Sequence, residues 1–184
     1  MKHPTKRVFL LNGPSSSGKS TLAKALKSRI EETSREEYGI VSIDDFLRCS
    51  RDETIYEEDV FEIGGKLCEA LRKSLDSRPG VIVDHVITSR RIFAQFKEAV
   101  GEYELWTVHV TCPLGTLMER EKTRGNRCPG SAEASHRFLF PRDGYDVTVD
   151  TGVLQPAEAA ASICRELRKK RGLFARVLEQ KGDT

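Results

Sequence analysis

The stretch RVFLLNGPSSSGKSTLAKAL, Arg7 to Leu26, decides the reading of this chain. Its centre, Gly13 to Ser20, fits G-x-x-x-x-G-K-[ST] at every fixed position. An apolar run, Val8–Leu11, precedes the loop, and an amphipathic stretch, Lys19–Glu32, follows it. Glycines let backbone N–H groups turn inward, and a following helix adds the positive end of its dipole. Such a loop holds phosphate oxygens. The nucleotide contacts expected from the pattern run through Gly13, Pro14, Ser15, Ser16, Ser17, Gly18, Lys19, Ser20 and Thr21. Lys19 reaches the β- and γ-phosphates, the Ser20 hydroxyl ligates Mg²⁺, and Pro14 and Ser15 to Ser17 serve as backbone scaffolding.

Outward from the loop, short branched apolar runs alternate with longer amphipathic stretches. The further runs are Gly39–Ile43, Gly80–Val86, Leu105–Thr111 and Tyr145–Val149. Helices are expected over Asp59–Leu75, Ser89–Val100 and Leu114–Arg124, with a last one from Pro156 to about Arg171, stopped by Gly172. This alternation implies βαβ units: an α/β fold with a parallel sheet and helices on both faces. Ligands bind beyond the carboxyl ends of such strands, so the residues just after each run carry the information.

After the second run the chain reads VSIDDFL. Asp44 is the favoured general base for a hydroxyl attacking phosphorus, and Asp45 the capping neighbour. After the third comes GVIVDHV, an apolar strand ending in an acid, which makes Asp84 the residue that orients Mg²⁺. His85 beside it reads either as an acceptor-pocket residue or as structural. CPLGTLMEREKTRGNRCPG follows the fourth run. Arg120, Arg124 and Arg127 share a helical face there, and Gly125, Pro129 and Gly130 allow a hinge. The reading is a lid, about residues 115–142, whose arginines stabilise charge on a transferring phosphoryl group. A solvated face paired with Glu119 and Glu121 is the plainer alternative. Asp150 and Thr151, after the fifth run, either approach the nucleotide base or cap a turn.

A length of 184 residues suits one domain, here divided into a core over 7–171, the lid, and a basic tail over 172–184. A net charge of +2 argues for neither nucleic acid nor a membrane surface, and the tail's cations alternate with apolar residues as on a surface helix. No signal peptide or membrane-length apolar run is visible. Five cysteines, an odd number with no C-x-x-C pair, suggest neither a disulfide framework nor zinc. The expected setting is cytoplasmic, with a small-molecule partner and an oligomeric state the sequence does not specify.

No N-K-x-D or L-S-G-G-Q stretch occurs, which argues against the usual GTPases and transporter ATPases. A carboxylate after the second run and an arginine lid suit a small kinase. Asp44 and Asp45 point to an alcohol acceptor, while Arg48, Arg51, Arg90 and Arg91 keep a phosphorylated acceptor open.

The elements LLNGPSSSGKST, VSIDDF, VIVDHV, ELWTVHVTCP, the E-x-x-R-G-x-R of the arginine segment and YDVTVDT come in an order that resembles the chloramphenicol phosphotransferase family. The likeness spans about Val8 to Ile163. It implies a P-loop kinase fold with a five-stranded parallel sheet in the order 2-3-1-4-5. It also implies ATP- and Mg²⁺-dependent transfer to a hydroxyl of a small molecule. By position Asp44 matches the family's base, Lys19 and Ser20 its phosphate and metal contacts, and Arg124 and Arg127 its lid arginines. Two departures concern the acceptor. His85 stands where a second acid is expected, and Phe46–Gly65, with its acidic YEED, shows no likeness. A kinase of nucleotide sugars, toxin-like, or another metabolite kinase is the alternative on the same fold. A nucleotide-binding module without a small substrate, supported only by the basic tail, is the alternative of another class.

Overall fold

The computed structural model describes residues 6–47, 57–124 and 129–180, with Glu57 and 171–180 as backbone only. In chain order the elements are β1 (Arg7–Asn12), α1 (Lys19–Ser34), β2 (Gly39–Ser42) and a 3₁₀ turn (Ile43–Asp45), then α2 (Glu57–Ser77), β3 (Gly80–His85) and α3 (Arg90–Val100). They continue with β4 (Glu104–Thr111), α4 (Leu114–Arg124), α5 (Ser131–Phe138), β5 (Val147–Asp150) and α6 (Pro156–Gln180). All strand pairs are parallel, and the order is β2-β3-β1-β4-β5, as expected.

Side chains alternate across the pleat, so β1 feeds two cores at once. Phe9 and Leu11 join Leu22, Leu26, Val108, Val110 and Ile163 on the α1/α6 face. Val8 and Leu10 join Leu67, Leu71, Val83, Ile92 and Phe96 on the α2/α3 face. Every residue of β3 is buried, which suits a strand covered on both faces. The register sets Asn12 level with His85 on one side and with His109 on the other, and Ser42 level with Asp84. The strand ends that carry the polar residues therefore form one rim.

The second strand ends one residue earlier than its apolar run. Ser42 accepts from the Asp44 N–H at 3.3 Å, and the Asp45 carboxylate accepts from the Ser42 N–H at 3.3 Å. This capping box turns the chain before Ile43 can extend. Gly172 does not end the last helix, which runs on to Gln180. A mid-helix glycine costs only about 1 kcal/mol against alanine, too little to stop a helix alone. Helix α5, inside the segment read as a lid, is an element the apolar periodicity did not announce.

Candidate active site

The phosphate loop fills the gap between β1 and α1. A Cβ on Gly13 would meet the Val110 carbonyl oxygen at 2.2 Å, so only glycine lets the loop leave β1 against β4. Gly18, at φ +83°, turns the chain into α1. Ser16 also holds a positive φ, +64°, and its buried Oγ lacks a hydrogen-bond partner. Among the described residues, the N–H groups of Ser16, Gly18 and Ser20 have no partner either. Buried donors left open are costly, and these converge at a helix start. The loop therefore fits nucleotide phosphates. Thr21 is exposed on the first helical turn.

Lys19 is buried, and its ammonium donates to the Pro14 carbonyl at 2.8 Å. Asp84 Oδ1 lies 3.9 Å from the same nitrogen. The Ser20 hydroxyl donates to Asp84 Oδ2 at 2.6 Å, and Ser42 Oγ approaches that oxygen at 3.4 Å. The end of β3 thus brings Lys19, Ser20 and Asp84 together as the motifs predict. A hydroxyl and one carboxylate beside a phosphate cradle form an all-oxygen donor set. That set fits Mg²⁺, which takes few protein ligands and fills the rest with water and phosphate. No group of three or more His, Cys, Asp or Glu suited to a metal occurs among the described residues.

Asp44 follows β2 and is half-buried on the 3₁₀ turn, while Asp45 is exposed and caps that turn through Ser42. His85 is fully buried and level with Asn12. Its Nδ1 accepts from the Val86 N–H at 2.8 Å, and its ring stands edge-on to Phe96. Burial, helped by the nearby Lys19 charge, lowers its pKa to about 3. A packed imidazole in this setting fits the structural reading of His85.

Helix α4 aims Arg120 back at the loop. Its guanidinium donates to the Thr151 carbonyl at 3.0 Å and lies 3.8 Å from where a Gly18 Cβ would stand. Thr151 shares its hydroxyl between the Ser17 carbonyl at 2.6 Å and the Thr111 carbonyl at 3.0 Å. Asp150 instead accepts from the Gly152 N–H at 2.7 Å, so it caps a turn. Arg124 is exposed at the end of α4. Arg127, like Arg48 and Arg51, lies outside the described residues. Arg91 is bound to Glu58 at 2.8 Å and stacks over Phe61.

Three further contributors were not read from the sequence. Asn12 is completely buried and joins three segments. Its amide donates to the Phe140 carbonyl at 2.8 Å and to Tyr145 Oη at 2.7 Å, and it accepts from the Ile87 N–H at 2.9 Å. A polar residue ending an apolar strand is the signal that points to it. Glu121 pairs with no arginine among the described residues; it accepts from the N–H groups of Gly130 at 3.0 Å and Ala132 at 2.7 Å, capping α5. Ser135, on α5, accepts from the Ser15 N–H at 2.8 Å. Helix α5 therefore braces the phosphate loop directly.

The fold and site define a phosphate-loop kinase architecture. The model of the chloramphenicol phosphotransferase-like proteins matches residues 6–168. The chain belongs to that family, and the family and fold together mark a kinase-type phosphotransferase with a nucleotide-binding phosphate loop. Among solved structures, the APS kinase of Mycobacterium tuberculosis, in complex with AMPPNP and APS, superposes with a TM-score of 0.68 at 16% identity, covering 90% of this chain and 99% of that one. A gluconokinase from Sinorhizobium meliloti gives 0.66 at 19%, covering 96% and 99%. Shikimate kinase from Acinetobacter baumannii, in complex with shikimate, gives 0.62 at 17%, covering 91% and 96%. No match was found among the curated proteins. No helix among the described residues is long and apolar enough to cross a membrane.

Proposed function

We propose that the chain is an ATP- and Mg²⁺-dependent phosphotransferase that moves the γ-phosphate to a hydroxyl of a small molecule, with chloramphenicol as the first acceptor to test. The observation that carries this reading is the set Lys19, Ser20 and Asp84, gathered at one strand end, with Asp44 just beyond the next. Family membership favours the alcohol acceptor.

In this reading the loop N–H groups and Lys19 bind and orient the phosphates, and Ser20 with Asp84 holds the metal. When bound, Mg²⁺ neutralises phosphate charge. Asp44 accepts the acceptor's hydroxyl proton as its oxygen bonds to the γ-phosphorus. The bond from that phosphorus to the bridging oxygen breaks, and ADP leaves. Arg120, Arg124 and Arg127 oppose the negative charge on the transferring group, with Arg120 already beside the loop.

The test is ADP release from ATP against chloramphenicol, nucleosides, sugars and amino alcohols, with Lys19→Ala as the blank and products identified by mass spectrometry. A phosphorylated alcohol is the expected product. ATP binding without acceptor-dependent ADP release from any of them would count against transfer to an alcohol.

A further inference from the structure

Between α5 and β4, beside the phosphate loop, lies a cavity of about 170 Å³. Pro14 of the loop forms one wall, His109 and Thr111 of β4 another, and His136, Leu139 and Arg142 close it. Among the described residues, no carboxylate lines it.

Several of the chain's cations sit in ion pairs: Arg7 with Glu104, Lys27 with Glu31, Arg91 with Glu58, and Lys170 with Asp146. His136, Arg137 and Arg142 form no ion pair among the described residues. Arg142 is nonetheless held in place, because its guanidinium donates to the Arg137 carbonyl at 3.1 Å, at the end of α5. A helix C-terminus favours cations, which accounts for their being tolerated there without an acid. It leaves their remaining donors for a ligand.

The walls are firm. His109 stacks on Tyr145 with ring centres 4.6 Å apart, and Asn12 fixes Tyr145 from behind. Burial lowers the pKa of His109, so this imidazole lines the cavity as a hydrogen-bonding wall and the Arg142 guanidinium supplies the charge. Arg guanidinium and imidazole N–H groups together suit the oxygens of a carboxylate or phosphate.

We propose that this cavity binds the anionic group of a small molecule, a carboxylate or a phosphate monoester, through Arg142 and His136. The group has two possible sources: a substituent of the acceptor alcohol, or a free anion that acts through Pro14 on the phosphate loop. Only the first rests on the phosphotransfer reading.

Inorganic phosphate is titrated onto the full chain saturated with MgADP, and onto Lys19→Ala, so that the phosphate loop does not compete. The side-chain NMR signals of His136 and Arg142 are followed. The expected result in both is a saturable shift with a dissociation constant on the order of 1 mM. It disappears in Arg142→Ala and weakens about tenfold in His136→Gln, an exposed pair whose replacement leaves the melting midpoint unchanged. No shift, or a shift of the His136 signals retained at full affinity in Arg142→Ala, overturns the site. Kinetics then separate the sources. Arg142→Ala raising the acceptor KM alone assigns the anion to the acceptor; phosphate changing the rate without competing with the acceptor assigns it to a free effector. If no alcohol is turned over, the titration still decides whether the cavity binds an anion.

Discussion

Asp84 and Asp44 end neighbouring parallel strands, and their surroundings differ in kind. Asp84 is buried, with Ser20, Ser42 and Lys19 around its two oxygens. Asp44 is half-buried on a three-residue turn beyond its strand. The donor side is thus a closed network whose geometry exists before any ligand arrives. On the other side Asp44 is positioned by a short cap. Ser42 links the two, reaching Asp84 with its hydroxyl and accepting the Asp44 N–H on the same oxygen. In the proposed reading, catalysis by preorganisation belongs to the first region and choice of substrate to the second.

The largest effect expected from breaking the donor side is that of Lys19→Ala. Removing a preorganised cation from a phosphoryl site should lower the transfer rate by roughly a hundred- to a thousandfold. It also leaves the buried Asp84 without its cation. Single-turnover ADP release measures the rate, and retention of even a third of it would mean the phosphates are not held here.

Asp44→Asn comes next. As a general base its loss should reduce kcat by about a hundredfold or more, while MgATP, held in the proposed reading by the loop, Lys19 and Ser20, binds as tightly as before. A parallel loss of nucleotide affinity would erase the distinction between the two regions.

The donor side was also the legible part. Gly13 and Gly18 stand in the motif because each meets a local backbone demand, a close approach to Val110 in one case and a positive φ in the other. Asp84 is legible because an apolar run of fixed register ends on it. The strand order followed from the same alternation and the family likeness. What stayed hidden depends on pairs far apart in sequence. Asn12 meets Phe140, which lies 128 residues away. Glu121 looked like a partner for surface arginines, yet it caps a helix that starts ten residues later. Ser135 sits on a helix of only eight residues, too short to show a clear period.

His85 offers a test on stability instead of rate. Its folded pKa of about 3 lies below the ordinary histidine value near 6.5. The unfolded chain therefore binds more protons between these limits, and stability rises with pH there. Equivalently, stability is lost as pH falls from about 6.5 toward 3, by at most about 1.4 kcal/mol per unit from this one group. Denaturation at a series of pH values should show that slope, and His85→Gln should flatten it. An unchanged slope would mean that His85 titrates normally and is not the packed residue described.

Ser135→Ala probes whether α5 belongs to the donor side. Losing one hydrogen bond to the loop should weaken MgATP binding about fivefold, the equivalent of roughly 1 kcal/mol. Faster amide exchange at Ser15 should accompany it. Ser135→Thr keeps the hydroxyl and should restore both. A drop in melting temperature with unchanged affinity would make α5 mere packing.

The smallest effect should come from Asp45→Ala, and it bears most directly on the comparison. Among the described residues, the Asp45 carboxylate accepts the Ser42 N–H at 3.3 Å and bonds to neither Lys19 nor Asp84. Removing that cap should cost about 0.5–1 kcal/mol in chemical denaturation. The turn keeps its other half, because Ser42 Oγ still accepts the Asp44 N–H. The rate should therefore stay within about twofold of wild type, since half the capping box survives. Ser42→Ala removes the shared oxygen and acts on both regions at once, loosening Asp44 and taking one contact from Asp84. Its loss in kcat should exceed that of Asp45→Ala. If instead Asp45→Ala lowers kcat as far as Asp44→Asn, the two adjacent acids exchange roles, and the base is the one facing solvent.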